Sequence, residues 1–162
     1  MRNRYDIALG FAIIMAIICS SHAQDSPQEY VDAHNSFRKD LGLPPLTWDD
    51  TVAEFAKNFA AERKDDCALV HSKPPRKYGE NLAYGPELNA TGAVFLWGRE
   101  KAFYDYDTNT CSPGKRCGHY TQIVWKDTLK VGCDRVMCTN TPMCYVICSY
   151  DPPGNYIDTK PY

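Results

Sequence analysis

The sequence lacks the features of several large classes of protein. Among its 162 residues no run of lysine or arginine is longer than two and the formal net charge is −2, so we expect no nucleic-acid partner. Neither Gly-x-Ser-x-Gly nor His-Glu-x-x-His occurs, which removes the best-known signatures of serine hydrolases and zinc proteases. Internal repeats and low-complexity tracts are also absent. The length fits one compact domain.

Cysteine is abundant, in contrast. The eight cysteines include no Cys-x-x-Cys pair, a pattern typical of disulfides formed outside the reducing cytosol. At the N-terminus two arginines precede an apolar run over 7–18, and small residues follow up to Ala23. We therefore predict a signal peptide over 1–23 and a single mature domain over 24–162. The apolar run has about twelve residues and a bilayer span needs about 20, so no transmembrane anchor is expected and the protein should be extracellular.

The first half of the chain has the periodicity of helices. Ser26-Pro27-Gln28-Glu29 forms a capping box with proline at the first helical position, and it predicts a helix that ends before Gly42. Apolar spacing predicts a second helix over about 49–64 and a third from about residue 89 toward Phe103.

The second half has the composition of strands. Segments 120–125, 131–138 and 143–150 are rich in Val, Ile, Tyr and Thr, and residues 139–142 have the sequence of a hairpin turn. Helices followed by strands predict an α+β domain with an antiparallel sheet.

Ordered motifs cover nearly the whole predicted mature chain. They include Ala33-His34-Asn35, Tyr78-Gly79-Glu80-Asn81-Leu82, Trp97-Gly98-Arg99-Glu100, Gly118-His119-Tyr120-Thr121-Gln122 and Cys148-Ser149-Tyr150-Asp151-Pro152-Pro153-Gly154-Asn155. Together they resemble the cysteine-rich secretory, antigen 5 and pathogenesis-related (CAP) superfamily, and most closely its plant pathogenesis-related protein 1 branch. The resemblance implies a disulfide-stabilised three-layer α-β-α sandwich around a short antiparallel sheet.

The same resemblance implies a polar cleft formed by His71, Glu80, Glu100 and His119. Two imidazoles and two carboxylates allow three interpretations. They can bind a divalent metal such as zinc reversibly, form a scaffold of His–Glu pairs that needs no metal, or act as general acids and bases in a metal-dependent hydrolase. We expect no required cofactor and no enzyme activity, and we expect His34 to be structural.

An aromatic loop, Phe103-Tyr104-Asp105-Tyr106, follows the third predicted helix. Its rings can lie on a flat apolar ligand, or they can simply finish the helix and pack beneath it. In several members of the superfamily a loop in this region binds sterol, and plant members are linked to growth inhibition of sterol-requiring microbes. The resemblance therefore implies a plant defence protein of the apoplast, monomeric by default, whose partner is a sterol or related lipid.

The C-terminal residues 152–162 are polar and bounded by prolines, so we expect them to be accessible to proteases. In plant relatives a similar segment is released as a signalling peptide by a cut that matches the bond between Asp151 and Pro152. The alternative function is therefore a precursor of a defence peptide with its own receptor. The competing interpretation is a structural tail packed on the sheet.

One cysteine has no predicted partner. Cys19 leaves with the signal peptide, and seven of the eight cysteines remain. The resemblance implies the bridges Cys67–Cys138, Cys111–Cys117 and Cys133–Cys148. Cys144 is then unpaired, either as a small buried hydrophobe or as a thiol that forms a dimer or exchanges with neighbouring bridges.

A sequon for N-glycosylation is present at Asn89-Ala90-Thr91. The same asparagine is suited to cap the third predicted helix through its amide oxygen. A glycan would be attached to the amide nitrogen, so the two roles are compatible.

Overall fold

The computed structural model describes residues 25–162. The predicted signal peptide over 1–23 and Cys19 lie outside the described residues. Within them no helix is long and apolar enough to cross a membrane. The helices are α1 (Pro27–Lys39), α2 (Asp50–Arg63), α3 (Ala90–Gly98), the 3₁₀ helix η1 (Arg99–Phe103) and α4 (Gly118–Ile123). The strands are β1 (Thr47–Trp48), β2 (Gly79–Pro86), β3 (Tyr104–Asp105), β4 (Thr110–Cys111), β5 (Lys130–Met137) and β6 (Met143–Asp151).

Side-chain caps fix where the first three helices begin. At α1 the Ser26 hydroxyl accepts a hydrogen bond from the Glu29 N–H, and the Glu29 carboxylate accepts one from the Ser26 N–H, so the predicted capping box is present. The Asp49 carboxylate caps α2. The Asn89 amide oxygen accepts a hydrogen bond from the Gly92 N–H and caps α3. The three predicted helices are confirmed, although the third continues as η1 after Gly98.

The main sheet has the strand order β1-β5-β6-β2. Its three long strands pair antiparallel, and the two-residue β1 pairs parallel to β5. The predicted hairpin between β5 and β6 is confirmed. The long strand β2 is not among the predicted strands, since its residues Gly79, Glu80 and Asn81 are weak strand formers.

The predicted strand over 120–125 is wrong, because Gly118–Ile123 forms α4. Tyr120, Ile123 and Val124 are all buried in the core. Their spacing of three and four residues is that of one helix face. Packing of this face overrides the strand propensity of the β-branched side chains.

Helices cover both faces of the sheet. On one face α2 packs its alanines against Tyr145 and Ile147 of β6. On the other face Val146 and Cys148 of the same strand pack in the core that includes α1, α3 and α4. The alternation along β6 therefore divides the protein into three layers. This confirms the α-β-α sandwich implied by the resemblance.

The disulfides are the three pairs that the resemblance implies: Cys67–Cys138, Cys111–Cys117 and Cys133–Cys148. Cys144 is free and buried, and its Sγ lies 3.3 Å from the Sδ of Met137 on the neighbouring strand. This burial agrees with the interpretation of Cys144 as a small hydrophobe.

Candidate functional site

The first histidine–glutamate pair joins a loop to a strand. His71 lies between α2 and β2, and its Nδ1 donates a hydrogen bond to Oε2 of Glu80, 3.0 Å away. The Ser72 N–H donates to the same oxygen, also at 3.0 Å. The Glu80 side chain is 1% exposed, whereas 41% of the His71 side chain is exposed. The buried carboxylate therefore fixes an exposed imidazole.

The second pair joins η1 to α4. His119 Nδ1 donates to Oε1 of Glu100 at 2.6 Å. The backbone N–H groups of His119 and Tyr120 donate to Oε2 at 2.9 and 3.3 Å. The Trp97 ring stacks on the imidazole with centroids 6.3 Å apart. Both carboxylate oxygens of Glu100 are thus occupied, and His119 is held on two sides.

Hydrogen bonding outweighs burial at both glutamates. Burial by itself raises the pKa of the Glu80 carboxyl, but the hydrogen bonds from His71 and Ser72 bring this pKa below its ordinary value. Burial likewise raises the pKa of the Glu100 carboxyl, and the bonds from His119 and Tyr120 lower it below its ordinary value. Both side chains are therefore ionised acceptors at neutral pH, as a scaffold of His–Glu pairs requires.

His71, Glu80 and His119 line one cavity of about 340 Å³, together with Asn81 and Arg116. Glu100 lies behind His119 and lines the neighbouring groove beside α3. The Asn81 amide donates to the carbonyl of His119 at 3.0 Å and so ties β2 to α4. Asn81 and Arg116 are not among the predicted site residues, although Asn81 directly follows Glu80 in the sequence. Three of the four predicted cleft residues therefore line the cavity, and the fourth, Glu100, is connected to it through its hydrogen bond to His119.

The donor set for a metal is small. The Nδ1 atoms of His71 and His119 are each hydrogen-bonded to a carboxylate. Their Nε2 atoms have no hydrogen-bond partner within residues 25–162. A carboxylate behind an imidazole is the arrangement that orients metal-binding histidines. The described residues contain no group of three or more His, Cys, Asp or Glu that could hold a metal ion. Two imidazoles are fewer than the three protein ligands of catalytic zinc sites and the four of structural ones, so water would have to fill the remaining positions of an ion held here.

A nucleophile for covalent catalysis is not positioned in the cavity. In the part of the chain that the structure describes, no hydroxyl or thiol is hydrogen-bonded to His71 or His119. A nucleophile and its base are usually within hydrogen-bond reach of each other. The geometry therefore offers paired carboxylates and imidazoles without the usual partner of a catalytic base.

The third histidine is structural. His34 is fully buried, with Nδ1 2.7 Å from the Tyr30 carbonyl oxygen and Nε2 2.8 Å from the Tyr150 hydroxyl. Burial lowers the pKa of His34 to about 4. Its neutral ring links α1 to β6, as expected from the sequence.

A buried arginine fixes the end of the helix that carries His119. Arg38 on α1 donates to the carbonyls of Ile123 and Trp125 at 3.0 and 2.8 Å, and to those of Pro44 and Thr128. Burial lowers the pKa of Arg38 to about 10, so its guanidinium still carries the charge. It satisfies the carbonyl of Ile123, the last residue of α4, and those of the segment that follows the helix.

The aromatic loop is partly packed and partly open. The Tyr104 hydroxyl donates to Asn109, and the Tyr106 ring stacks on Tyr162 with centroids 4.5 Å apart. The ring of Phe103 is 37% exposed. Residues 102–107 line a cavity of about 410 Å³. The two tyrosines therefore support the loop, and Phe103 offers an apolar face to a ligand.

The C-terminal tail packs on α4 and on the aromatic loop, whereas the sequence left open a protease-accessible tail or a tail packed on the sheet. The Asp151 carbonyl accepts from the Leu129 N–H at 3.1 Å, directly before the proposed cleavage bond at Pro152. Further on, Asn155 donates to the Gly118 carbonyl at 2.8 Å, and the Tyr106 hydroxyl donates to the Tyr162 carbonyl. The tail is thus bound along its length, and peptide release stays a prediction.

The glycosylation sequon is accessible. Asn89 is exposed at the start of α3, and its amide oxygen is used by the helix cap. Its amide nitrogen has no hydrogen-bond partner among residues 25–162. Glycosylation of Asn89 stays a prediction that this geometry allows.

A disulfide-linked α-β-α sandwich with two histidine–glutamate pairs, whose imidazoles line one cavity, defines the class of protein. The model of the cysteine-rich secretory protein family (CAP) matches residues 31–150. The chain therefore belongs to the CAP family, in its plant pathogenesis-related protein 1 group.

Two curated relatives show the closeness of this relationship. The chain is 48% identical over 162 residues to a pathogenesis-related protein of PR-1 type from Sambucus nigra, covering 99% of this chain and 96% of the relative. It is 52% identical over 147 residues to pathogenesis-related protein 1A1 from Solanum lycopersicum, covering 90% and 82%. Neither name is that of an enzyme.

Solved structures agree on the fold. A crystal structure of NaASP2 with Zn²⁺ matches with a TM-score of 0.69 and 27% identity, over 84% of each chain. Venom allergen-like protein 4 from Schistosoma mansoni matches with a TM-score of 0.66 and 28% identity, over 84% of this chain and 92% of that one.

Proposed function

We propose that this protein is a secreted, monomeric plant defence protein of the apoplast that binds a sterol or related lipid at Phe103–Tyr106 and restrains sterol-requiring pathogens. The observation that supports the site is the position of Phe103. Its exposed ring lines both the cavity of the aromatic loop and an apolar groove beside α3. A ligand with a flat apolar body can therefore cover Phe103 from either side.

Polar groups in the loop cavity suit the single hydroxyl of a sterol. Asp105 and Ser112 line this cavity next to Phe103. The Asp105 carboxylate accepts a hydrogen bond from the Thr108 N–H at 3.0 Å, which fixes its orientation. Small-molecule sites commonly combine an apolar wall with a few placed polar groups of this kind.

A fluorescent sterol titrated into the purified mature domain tests the proposal. We expect Phe103→Ser to weaken binding by about tenfold or more, because burial of an aromatic face contributes most of the affinity. Leu129→Ser is the matched control, since Leu129 is also exposed and lies outside both cavities. Equal sterol binding by Phe103→Ser and the wild type would place the site elsewhere.

Reversible zinc binding in the cleft is a second candidate. The two unpartnered Nε2 atoms support it, and NaASP2 has been crystallised with Zn²⁺. A bound zinc ion would act there as a Lewis acid or as a link between the two imidazoles. We expect His71→Gln and His119→Gln each to abolish zinc binding in calorimetry, because neither imidazole alone forms a site. Zinc binding that survives both substitutions would contradict this candidate.

A further inference from the structure

An exposed apolar surface surrounds the groove beside α3. Leu69 and Leu96 line this groove and are 53% and 47% exposed. Phe103 and Tyr84 also line it and are exposed, and Trp97 lies buried at its floor. Two exposed aromatic rings and two exposed leucine side chains therefore share a groove of about 430 Å³. Contiguous apolar surface of this kind marks sites of interaction.

Unpaired cations lie at the same groove. Arg99 and Arg116 line it, and neither guanidinium has an ion pair or hydrogen bond within residues 25–162. The ammonium group of Lys115 lies 4.8 Å from the centroid of the Phe103 ring. Glu100 is the acidic residue of the lining, and its oxygens are occupied by the His119 side chain and by backbone N–H groups. The groove is thus basic, although the whole chain has a formal charge of −2.

We propose that this surface, the α3 face, docks on a lipid bilayer that contains anionic phospholipids. It is defined by Leu69, Leu96, Phe103, Arg99 and Arg116. Apolar side chains of such a surface enter the boundary between headgroups and acyl chains, and the flanking guanidinium groups meet the phosphates. Charge complementarity favours an anionic bilayer over a neutral one.

The α3 face goes beyond the proposed sterol site. Docking uses a surface and anionic headgroups, whereas the sterol proposal concerns one neutral molecule in the loop cavity. Phe103 belongs to both, so docking brings the aromatic loop to the membrane in which a sterol resides. Either activity can exist without the other, and neutral vesicles that contain sterol separate them.

Vesicle flotation with the mature domain tests the proposal. We expect binding to phosphatidylcholine vesicles with about 30% phosphatidylserine, no binding to phosphatidylcholine alone, and loss of binding at about 0.5 M salt. Recruitment only by sterol in neutral vesicles would overturn the docking proposal and leave the sterol proposal standing. Equal binding to neutral and anionic vesicles would also overturn it.

Two double variants test whether the arginines of the α3 face contribute to binding beyond the net charge of the protein. Arg99→Gln/Arg116→Gln should weaken binding to anionic vesicles about 30-fold, because two headgroup contacts are lost. The matched control is Lys57→Gln/Lys64→Gln, which removes the same charge within α2 and at its C-cap, on the other face of the sheet. Losses of equal size in the two variants would show a dependence on net charge alone and overturn the proposal.

Insertion is measured independently of affinity. Leu96→Trp should give a blue shift of tryptophan emission on addition of anionic vesicles, and Leu129→Trp at a comparably exposed position should not. Unfolding temperatures near that of the wild type show that both variants fold. An unshifted spectrum for Leu96→Trp with vesicles bound would place the membrane contact elsewhere.

Discussion

The two halves of the cleft contain the same chemical pair held in different ways. In the His119 half, Glu100 accepts three hydrogen bonds from α4, and Trp97 stacks on the imidazole. In the His71 half, Glu80 accepts one bond from the ring and one from the Ser72 backbone. The exposed fraction of the histidine side chain follows this difference, at 23% for His119 and 41% for His71.

The difference shows how a loop and a helix can present the same imidazole. The His119 half is built on short helices that are anchored to each other by hydrogen bonds, and the nearby bridge Cys111–Cys117 spans 6 residues. In the His71 half the histidine lies on a loop, and the bridge Cys67–Cys138 connects this loop to the residue after β5 across 71 residues of sequence. A long-range bridge thus supports the His71 half, whereas short helices and a short-range bridge support the His119 half.

Among the changes that distinguish the two halves, removal of the disulfides should lower the free energy of unfolding most. A disulfide restricts the unfolded chain, and the restriction is larger for a longer closed loop. We therefore expect Cys67→Ser/Cys138→Ser to lower the free energy of unfolding by about 4 kcal/mol, and Cys111→Ser/Cys117→Ser by about 2 kcal/mol. Urea denaturation of the two double variants measures both values. A negligible loss for Cys67→Ser/Cys138→Ser would show that the His71 half does not depend on its long-range bridge.

Amide substitution of the glutamates should have a smaller effect. Both bonds to Glu80 end on Oε2, so a glutamine can keep them with its single carbonyl oxygen. The bonds to Glu100 end on both oxygens, so a glutamine places its NH₂ group against a donor. We expect Glu100→Gln to cost about 2 kcal/mol and Glu80→Gln about 1 kcal/mol.

Denaturation of the two single variants at neutral pH measures this difference. Glu62→Gln, at an exposed position of α2, is the matched control and should leave stability within about 0.5 kcal/mol of the wild type. A larger loss for Glu80→Gln than for Glu100→Gln would mean that burial of the carboxylate, and not its set of donors, decides the cost.

Local signals in the sequence predict much of the fold. The caps at Ser26 and Asn89 depend on residues three positions apart, so they can be identified without tertiary information. Strand β2 and helix α4 could not be predicted in this way. The position of each depends on what covers it, and the buried face of α4 is recognisable only once the core is known.

The cleft required a different kind of information. His119 and Glu100 are 19 residues apart, and the sequence alone does not indicate which histidine pairs with which glutamate. The family resemblance brings the four side chains together, and the structure adds the pairing and the donors at each oxygen. The groove cations Arg99 and Arg116 have no sequence signal, since isolated arginines are common on protein surfaces.

The smallest predicted effect is the pH dependence of the stability that each glutamate contributes. The pKa values of the Glu80 and Glu100 carboxyls lie below the ordinary value of 4.5. As the pH falls through this region, the unfolded chain binds protons before the folded protein does, so the stabilisation is lost as the folded pKa is passed. The pKa values of Glu29, Asp49 and Asp105 are lowered too, so the wild type should lose stability gradually in acid.

Each glutamine variant removes one contribution to this acid loss. We expect Glu100→Gln to be less stable than the wild type at neutral pH. The gap should close as the pH falls from about 4.5 toward the lowered pKa of Glu100 in the folded protein, because the unfolded wild type binds this proton first. Glu80→Gln should converge in the same way from a smaller initial gap. Free energies of unfolding between about pH 3 and pH 7 measure both gaps, with Glu62→Gln as the control. A gap for Glu100→Gln that stays constant with pH would assign the stabilisation to packing, and the two halves of the cleft would then differ in shape and not in charge.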